Sequence, residues 1–344
     1  MTKTVFVVDD NDINLAMARE ALKEQYKVIT IPSAAKLFSL IEKLTPDMIL
    51  LDIEMPEVDG FEALSKLKSI GKYASIPVIF LTAMTDEQVE VRGFQMGAID
   101  FIPKPFSAPV LLNRVKTHLD VDELIHERTR QIQDLQNGII YVLADMVENR
   151  DHVTGSHIDR ITSYLTILIA EMLAQGLYSD ELSELDINSF ISSARLHDIG
   201  KITIPDAVLN KPGKLTDEEF TLMKTHTSEG ERIIDQIVMR TGNVDFLRNA
   251  RLFAGTHHER WDGKGYPAGL SDTQIPLHGR IMSIVDVYDA LVSERPYKKA
   301  FSSEVAYNIV KEGCGTQFDP HIFDVFHAVS DKFASINSEQ KANS

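Results

Sequence analysis

The sequence predicts two domains, an α/β domain built on a doubly wound, five-stranded parallel sheet and an all-α domain that follows it. The chain has 344 residues, which exceeds the ~250 to 300 at which one hydrophobic core usually stops growing. Five short apolar runs rich in β-branched residues recur before residue 120, with helical periodicity between them. From about Gly138 onward the pattern is mainly helical, with loops at GKLT and WDGKGYP.

The five apolar runs are the expected strands, at residues 5–8, 28–31, 48–51, 78–81 and 99–102. Parallel strands need crossover connections, so strands that alternate with helices indicate a parallel sheet covered on both faces. In such sheets ligands bind beyond the carboxyl ends of the strands. The residues that follow each run are therefore the first candidates for a functional site.

Charged and polar side chains follow four of these runs. Asp9 and Asp10 come after the first, Asp52 after the third, Thr82 after the fourth and Lys104 after the fifth. Three carboxylates on one rim repel each other unless a cation joins them, and oxygen ligands suit Mg²⁺. A carboxylate there can act as a nucleophile toward a phosphoryl group. The alternative, solvated loop acids, would require four strand ends to match by coincidence.

Composition excludes several classes of function. With a net charge of -16 and a pI near 5.1 the surface repels polyanions, so we expect no DNA partner. The apolar run at 161–173 contains polar residues and falls short of the ~18 residues that a membrane span needs. The single cysteine, Cys314, permits no internal disulfide, which fits a reducing cytoplasm. Only the polar tail at 336–344 has a composition compatible with disorder.

A proline-free stretch at 119–147 connects the two domains and is predicted to be an amphipathic helix. Arg128 interrupts its apolar stripe, and Gly138 weakens it. The helix either pairs two chains as a short coiled coil or packs only within its own chain. In both cases a rigid connector can transmit a packing change from the first domain. The stripe consists of Val121, Leu124, Ile132, Leu135, Ile139, Val142 and Met146.

The second domain is rich in potential metal ligands. A lone histidine is more often a surface or core group, but here adjacent pairs recur in HDIGK and HHE. Imidazole and carboxylate together suit Fe or Mn, and the absence of cysteine ligands argues against a structural zinc site. Thr216 and Glu219 form a capping box that should begin a helix leading to the third ligand. The six candidates are His197, Asp198, His226, His257, His258 and Asp286.

Six ligands exceed what one ion needs when positions stay open for water and substrate, so two ions are expected. Asp198 can bridge them with its two oxygens. Ions ~3.5 to 4 Å apart acidify a shared water and neutralise charge during attack on phosphorus, which is phosphodiester hydrolysis chemistry. Lys201 lies about one helical turn after His197, so it should face the same site and stabilise a phosphate oxygen.

The stretches VVDDN, LLDIEMPEVDG, LTA and KPF resemble the receiver domain of two-component response regulators. The resemblance covers roughly residues 1–120 and implies a flavodoxin-like fold and a cognate sensor histidine kinase as partner. It also implies a cis bond between Lys104 and Pro105, and it places Phe101 at the aromatic switch position, unless Phe101 is an ordinary core aromatic. The implied roles are phosphoacceptor for Asp52, Mg²⁺ ligands for Asp9, Asp10, Asp52 and the Glu54 backbone carbonyl, and phosphoryl contacts for Thr82 and Lys104.

The second domain resembles the HD-GYP phosphodiesterases over roughly residues 139–335. The matching stretches are ENRDHVTGSHIDR, ARLHDIGK, HTSEGERI, GTHHERWDGKGYPAGL, IPLHGRIMSIVDVYDAL and ERPYKKA. The resemblance implies an HD-type helical bundle, a site for two or three metals, and hydrolysis of cyclic di-GMP to pGpG or GMP. It implies that the six candidates are the metal ligands and that Arg295 and Lys298 bind substrate phosphate. Tyr266 would contact the nucleotide, unless it only packs on the bundle.

One position departs from the family pattern. Members with a third metal carry a glutamate four residues before the histidine of RDxxTGxH, where this chain has Val153 before His157. We therefore expect two metals. His157 should then support the site or contact substrate, while Glu148 should support the fold or the site from behind. Asp289, three residues after Asp286, is expected to be structural.

The predicted organisation is a receiver at 1–120, a connecting helix at 121–138, a phosphodiesterase domain at 139–335 and the polar tail. The predicted function is a cytoplasmic response regulator in which phosphorylation of Asp52 controls hydrolysis of cyclic di-GMP at a site with two Fe or Mn ions. Two alternatives stay open. The second domain could be a catalytically weak nucleotide sensor or interaction module, or it could hydrolyse another cyclic dinucleotide, such as a hybrid GMP-AMP.

Overall fold

The computed structural model describes residues 2–83, 87–150, 156–242, 244–294 and 299–343. The chain divides into two compact units, Met1–Ile132 and Gln133–Ser344. One long helix contributes residues to both units. In the described ranges no helix combines the length and the apolar character that a bilayer span requires.

The first unit is built on a five-stranded, all-parallel sheet with the order β2-β1-β3-β4-β5. This order is that of flavodoxin-like, doubly wound folds, so the predicted fold class is confirmed. Each predicted strand matches the observed one to within one residue at both ends. The strands are β1 Thr4–Val8, β2 Lys27–Ile31, β3 Met48–Asp52, β4 Val78–Thr82 and β5 Asp100–Pro103.

Helices cover both faces of this sheet because its strands are apolar on both sides. Along β1, Val5 and Val7 face a core formed with α1 and the start of α6, while Phe6 and Val8 face a core formed with α2 and α3. Strands β1 and β3 are neighbours in the sheet. Asp9 and Asp52 therefore lie side by side at their carboxyl ends. The helices are α1 Asp12–Leu22, α2 Ala34–Ile41, α3 Gly60–Ser69, α4 Gly71–Ala74, α5 Glu87–Gln95 and α6 Ala108–Arg150.

Helix α6 is 43 residues long and includes the predicted connector. Its first turns bury Leu111, Val115 and Leu119 against the sheet. Farther along, a row of apolar side chains is about half exposed, and successive members are three, four or, around Arg128, seven residues apart. The row is Val121 (48% exposed), Ile125 (58%), Ile132 (57%), Leu135 (64%), Ile139 (52%), Val142 (54%) and Met146 (61%).

The second unit is helical in its described part, apart from two isolated β-bridges, which confirms the predicted all-α class. The α-helices are α7 Ser156–Gln175, α8 Ser179–Ser183, α9 Ile187–Ser193, α10 Asp206–Leu209, α11 Asp217–Thr241, α12 Asp245–Thr256, α13 Leu277–Val292, α14 Ser303–Glu312 and α15 Pro320–Asn343. Three short 3-10 helices lie at Ala194–Leu196, Ile199–Thr203 and Asp272–Gln274.

The main core of this unit joins α7, α13 and α15 through stacked aromatic rings. Tyr164 stacks on Phe333 with ring centroids 4.5 Å apart, and Tyr288 meets Tyr164 edge-on. The polar tail at the C-terminus is not irregular, because α15 continues to Asn343. Asn337 is buried and its Oδ1 accepts a hydrogen bond of 2.7 Å from the Tyr164 hydroxyl. This buried contact between α15 and α7 cannot be deduced from the composition of the tail.

Candidate functional site

The predicted rim of carboxylates is present at the carboxyl edge of the sheet. Asp9, Asp10 and Asp52 each place an oxygen within 4.8 Å of the others. Lys104 Nζ lies 2.6 Å from Asp52 Oδ1 and 3.4 Å from Asp9 Oδ2. Thr82 is buried at the end of β4, the strand next to β3. The five side chains that sequence reasoning selected at these strand ends are therefore brought to one edge.

The neighbours of Asp52 shift its pKa in opposite directions. Burial raises the pKa of Asp52, Lys104 lowers it and Asp9 raises it, and the net direction is upward. The Glu54 backbone N–H donates to Asp52 Oδ1 at 3.3 Å, so Glu54 adjoins the rim, and the role of its carbonyl as a Mg²⁺ ligand stays a prediction. The Lys104-Pro105 bond is cis, as the resemblance implied. Phe101 is buried and packs against neighbouring phenylalanines.

In the second unit, the ligand candidates come from several different elements. His197 and Asp198 lie between two 3-10 helices, and not within an α-helix. His226 lies within α11, which begins with the predicted capping box of Thr216 and Glu219. His257 and His258 directly follow α12, while Asp286 belongs to α13. The 3-10 helix Ile199–Thr203 can approach α11 closely because residue 200 is glycine: a Cβ there would lie 1.8 Å from the His226 carbonyl oxygen.

Asp198 is the centre of the cluster. Its Oδ2 lies 3.2 Å from His197 Nε2 and 2.8 Å from Lys201 Nζ. Its Oδ1 lies 3.4 Å from His226 Nε2 and 3.6 Å from His257 Nε2. The two oxygens thus face different histidines, which is the arrangement a bridging carboxylate requires.

Three histidines are fixed in orientation by the backbone. The Nδ1 atoms of His197, His226 and His257 lie 2.7 to 2.9 Å from the carbonyl oxygens of Ala194, Met223 and Phe253. A carbonyl can only accept, so each Nδ1 carries a proton, and in the neutral ring Nε2 presents a lone pair that a metal ion can bind. This pattern is typical of metal-ligating histidines, whose second nitrogen donates to a fixed acceptor.

The Nε2 atoms of His226 and His257 lie only 3.3 Å apart. Two lone pairs at this distance repel unless a cation lies between them. His197 Nε2 and Asp198 Oδ1 are buried and, among the described residues, have no partner in hydrogen-bond geometry. Buried polar atoms without partners are rare and need an explanation. The donor set therefore fits bound metal ions.

The electrostatics agree with a cation site. Burial raises the pKa of Asp198, but Lys201 and His197 outweigh it and hold this pKa well below its usual value. Burial lowers the pKa of His197, but Asp198 and Asp286 outweigh it and raise this pKa to about 9, so a metal ion bound at His197 Nε2 would replace a proton there. For His226, burial dominates and lowers the pKa to about 4, so its imidazole is neutral near pH 7. Asp198 therefore remains charged and attracts cations.

Two groups of three possible ligands lie around Asp198. His226, His257 and His258 form the first, and their ligand atoms are within 4.8 Å of one another. The second group is Glu148, His157 and His197, with the same limit. Because residue 153 is a valine, His157 was expected to support the site or contact substrate, and Glu148 to support the fold or the site from behind. Residue 153 lies outside the described residues.

Two neighbours, Asp289 and Arg150, support this region, and a structural role was expected for Asp289. Asp289 is buried and bonds to both His157 Nδ1 (2.7 Å) and the Arg160 guanidinium. Arg150 donates to the carbonyl oxygens of Ile202 (2.9 Å) and Ile204 (3.1 Å), on the segment that carries Lys201. Both residues hold the backbone or a ring in place from behind the candidate ligands.

A cavity of about 300 Å³ opens beside the histidines. Lys224 Nζ lies 5.2 Å from the centre of the Phe220 ring and 5.9 Å from that of Tyr266. The Tyr266 ring lies 4.8 Å from that of His258, which brings the GYP loop to the site. Residues 295 and 298, the predicted phosphate contacts, lie outside the described residues. The lining includes Phe220, Lys224, His257, His258, Lys264 and Tyr266.

Sequence reasoning missed Phe220 and Lys224. They belong to no motif, and their one signal is a spacing of four residues, which places them on the same face of α11 as it approaches His226. A phenylalanine at such a position in a helix is normally expected to pack in the core. Its 48% exposure at the cavity is visible only in the structure.

Comparisons with known proteins agree with both units. Residues 5–116 match the response regulator receiver domain and residues 141–322 match the HD domain. A probable cyclic di-GMP phosphodiesterase of Vibrio cholerae is 37% identical, over 97% of this chain and 79% of the relative. The cyclic di-GMP phosphodiesterase response regulator RpfG of Xanthomonas campestris is 33% identical (93% and 86%), and a cyclic di-GMP phosphodiesterase of Thermotoga maritima is 32% identical (98% and 93%).

The HD-domain match covers more than half of the chain, and these relatives align with it over most of their length. The order of the two matches is also the order of the two folds. The chain belongs to the family of response regulators in which a receiver domain is followed by an HD domain.

Proposed function

We propose that the protein is a metal-dependent phosphodiesterase of the HD-GYP type that hydrolyses cyclic di-GMP. The observation that carries this proposal is the set of inward-facing Nε2 lone pairs around Asp198, two of them 3.3 Å apart. Such a set fits cations, and cations beside a cavity with basic and aromatic walls fit a phosphodiester substrate with purine bases. Relatives aligned over most of their length are named cyclic di-GMP phosphodiesterases.

The proposed ligands are the six residues selected from the sequence. His226, His257 and His258 would hold one ion, His197 and Asp286 the other, with Asp198 between them. Two Fe or Mn ions, when bound, supply an acidified water and neutralise charge on the phosphate. Lys201, whose ammonium lies 2.8 Å from Asp198, stabilises the negative charge that develops on the phosphate oxygens.

The cavity residues would bind the nucleotide. The chain is acidic, so an anionic substrate needs local positive charge, which Lys224 and Lys264 provide in the cavity wall. The rings of Phe220 and Tyr266 offer faces on which a purine can stack. Arg295 and Lys298 are proposed as further phosphate contacts. This arrangement holds the substrate beside the ligand cluster.

The proposal is tested with protein purified without oxygen. Metal content is measured by mass spectrometry, and the conversion of cyclic di-GMP to pGpG or GMP is followed by chromatography. Hydrolysis should require metal, stop on chelation and return with Fe²⁺ or Mn²⁺. A hybrid GMP-AMP dinucleotide is assayed in parallel, and faster turnover of that substrate would replace the proposed one. Absence of turnover in metal-loaded protein would favour a nucleotide sensor.

We further propose that the protein is cytoplasmic and that a sensor histidine kinase phosphorylates Asp52, with Mg²⁺ bound at the rim. This phosphorylation controls the activity of the second unit. A small phosphoryl donor should change the turnover of the wild type but not that of Asp52→Asn, because an amide cannot accept the phosphoryl group. Steady-state rates with and without donor provide the measurement. Glu20→Gln, which removes an exposed acid on α1, is the control and should respond like the wild type. Equal rates in every case would rule out regulation by Asp52.

A homodimer through α6 is also proposed. The half-exposed row from Val121 to Met146 has the spacing of a two-stranded coiled coil, and a second copy would bury it. Ile132→Lys places a charge in the middle of the row and should convert a dimer to a monomer in sedimentation equilibrium. Gln133→Lys adds the same charge at the next, exposed position and should leave the dimer intact. A wild type that is monomeric at micromolar concentration would exclude this interface.

A further inference from the structure

The second group of possible ligands consists of two imidazoles and one carboxylate, all buried. Glu148 is 3% exposed, His157 4% and His197 2%. Their ligand atoms lie within 4.8 Å of one another, close to the ~4.4 Å that separates two ligands on opposite sides of one ion with metal bonds of about 2.2 Å. A small contraction would bring all three onto a common centre.

The orientation of His157 matches that of a ligand. Its Nδ1 lies 2.7 Å from Asp289 Oδ2, and Asp289 is in turn held by the Arg160 guanidinium through two hydrogen bonds. A carboxylate held by an arginine is charged and can only accept, so the proton of a neutral His157 is on Nδ1 and its lone pair is on Nε2. A carboxylate that orients a histidine in this way is common behind metal ligands.

Glu148 supplies the oxygen donor of this group. It lies near the end of α6, and its burial would be costly for a carboxylate without a positive partner. His197 lies on the other side, and its Nε2 has no partner in hydrogen-bond geometry among the described residues. A cation between these side chains would compensate the charge of Glu148 and occupy the lone pair of His197.

We propose that Glu148 and His157 are direct ligands of the ion that His197 binds, which rests on the metal dependence proposed above. This ion would then have two histidines and a carboxylate in addition to Asp198 and Asp286. The other ion would have three histidines, His226, His257 and His258, and Asp198. One position would thus offer two histidines and three carboxylates and the other three histidines and one carboxylate, so the two positions differ in donor chemistry and in affinity.

The test measures metal binding directly. Wild type, Glu148→Gln and His157→Ala are purified without oxygen, stripped of metal and titrated with Mn²⁺, and the bound ion is counted after dialysis. The wild type should hold two ions. In each variant one ion should bind more weakly by at least the ~10- to 100-fold that follows the loss of an outer hydrogen-bond partner of a ligand, while the other keeps its affinity.

The matched control is Asp145→Asn. Asp145 lies three residues before Glu148 on α6, carries the same charge and bonds to Asn149 (2.8 Å), so its loss should leave both ions in place. In protein reloaded with Co²⁺, the visible absorption should change in Glu148→Gln and not in the control, because only a change of ligand alters the coordination. Circular dichroism shows whether His157→Ala is folded, and the isosteric Glu148→Gln decides the matter if it is not.

The outcomes separate this inference from the proposed function. Two ions bound with wild-type affinity in Glu148→Gln, with unchanged Co²⁺ absorption, would overturn the ligand role of Glu148 and leave the phosphodiesterase intact. A wild type that binds no metal would overturn the metal-dependent function itself. Loss of one ion in both variants and not in the control supports the inference.

Discussion

Replacing Asp198 with alanine is expected to lower the turnover of cyclic di-GMP by at least ~100-fold. Asp198 lies between His197 on one side and His226 and His257 on the other, at 3.2 to 3.6 Å. Its loss removes a ligand shared by both proposed ions and the carboxylate that lies 2.8 Å from Lys201 Nζ. Steady-state kinetics with saturating metal measure the effect.

The first unit should be unaffected in this variant, because Asp198 belongs to the second. Phosphorylation of Asp52 by a small donor can confirm that the receiver is folded. Asp159→Ala removes an exposed carboxylate of α7 and should retain activity. Wild-type turnover in Asp198→Ala would falsify the assignment of the site.

Gly200→Ala is expected to cause the second large loss. A Cβ at this position would lie 1.8 Å from the His226 carbonyl oxygen and 2.5 Å from the Gly230 nitrogen. Both are backbone atoms of α11, so no side-chain rotation can relieve the clash. The 3-10 helix Ile199–Thr203 must then move away from α11, which separates Asp198 from His226.

We expect the free energy of unfolding to fall by about 3 kcal/mol, the upper end of the range for overpacked cores, and hydrolysis to be lost with it. Urea denaturation followed by circular dichroism provides the measurement. The matched control is Gly138→Ala on α6, where an added Cβ meets nothing within 4 Å. This change should be neutral or stabilise the helix by up to ~1 kcal/mol. Equal stability of Gly200→Ala and wild type would contradict the close packing.

The strands were predictable because each is a short apolar run rich in β-branched residues, and four of the five lead to a charged or polar residue, as in the stretch before Asp52. Periodicity alone does not give the order of the strands, which came from the resemblance to receivers. The boundary within helix α6, by contrast, could not be predicted. No proline or glycine occurs from 110 to 137, so the sequence contains no signal at which the receiver ends and a connector begins, and the helix is continuous there.

The ligand candidates were also predictable, since adjacent His-Asp and His-His pairs are unusual and recur in a known order. The proximity of Glu148 to His157 could not be predicted, because the two residues come from different helices and meet only through tertiary packing. The valine at 153 directed the prediction toward two metals and away from both residues. Similarly, Phe220 gave no sign that its ring would line a cavity.

The hydrogen bonds from three Nδ1 atoms to backbone carbonyls have a consequence for the protein before any ion arrives. The rings of His197, His226 and His257 are held in place by the backbone itself. In the metal-free fold the Nε2 lone pairs of His226 and His257 therefore stay 3.3 Å apart, and their repulsion lowers the stability of the native state. A bound ion removes that penalty, and its binding free energy adds to the stability of the native state. The melting temperature should therefore rise with free metal concentration, and in a metal-starved cell the amount of folded enzyme, as well as its rate, would fall.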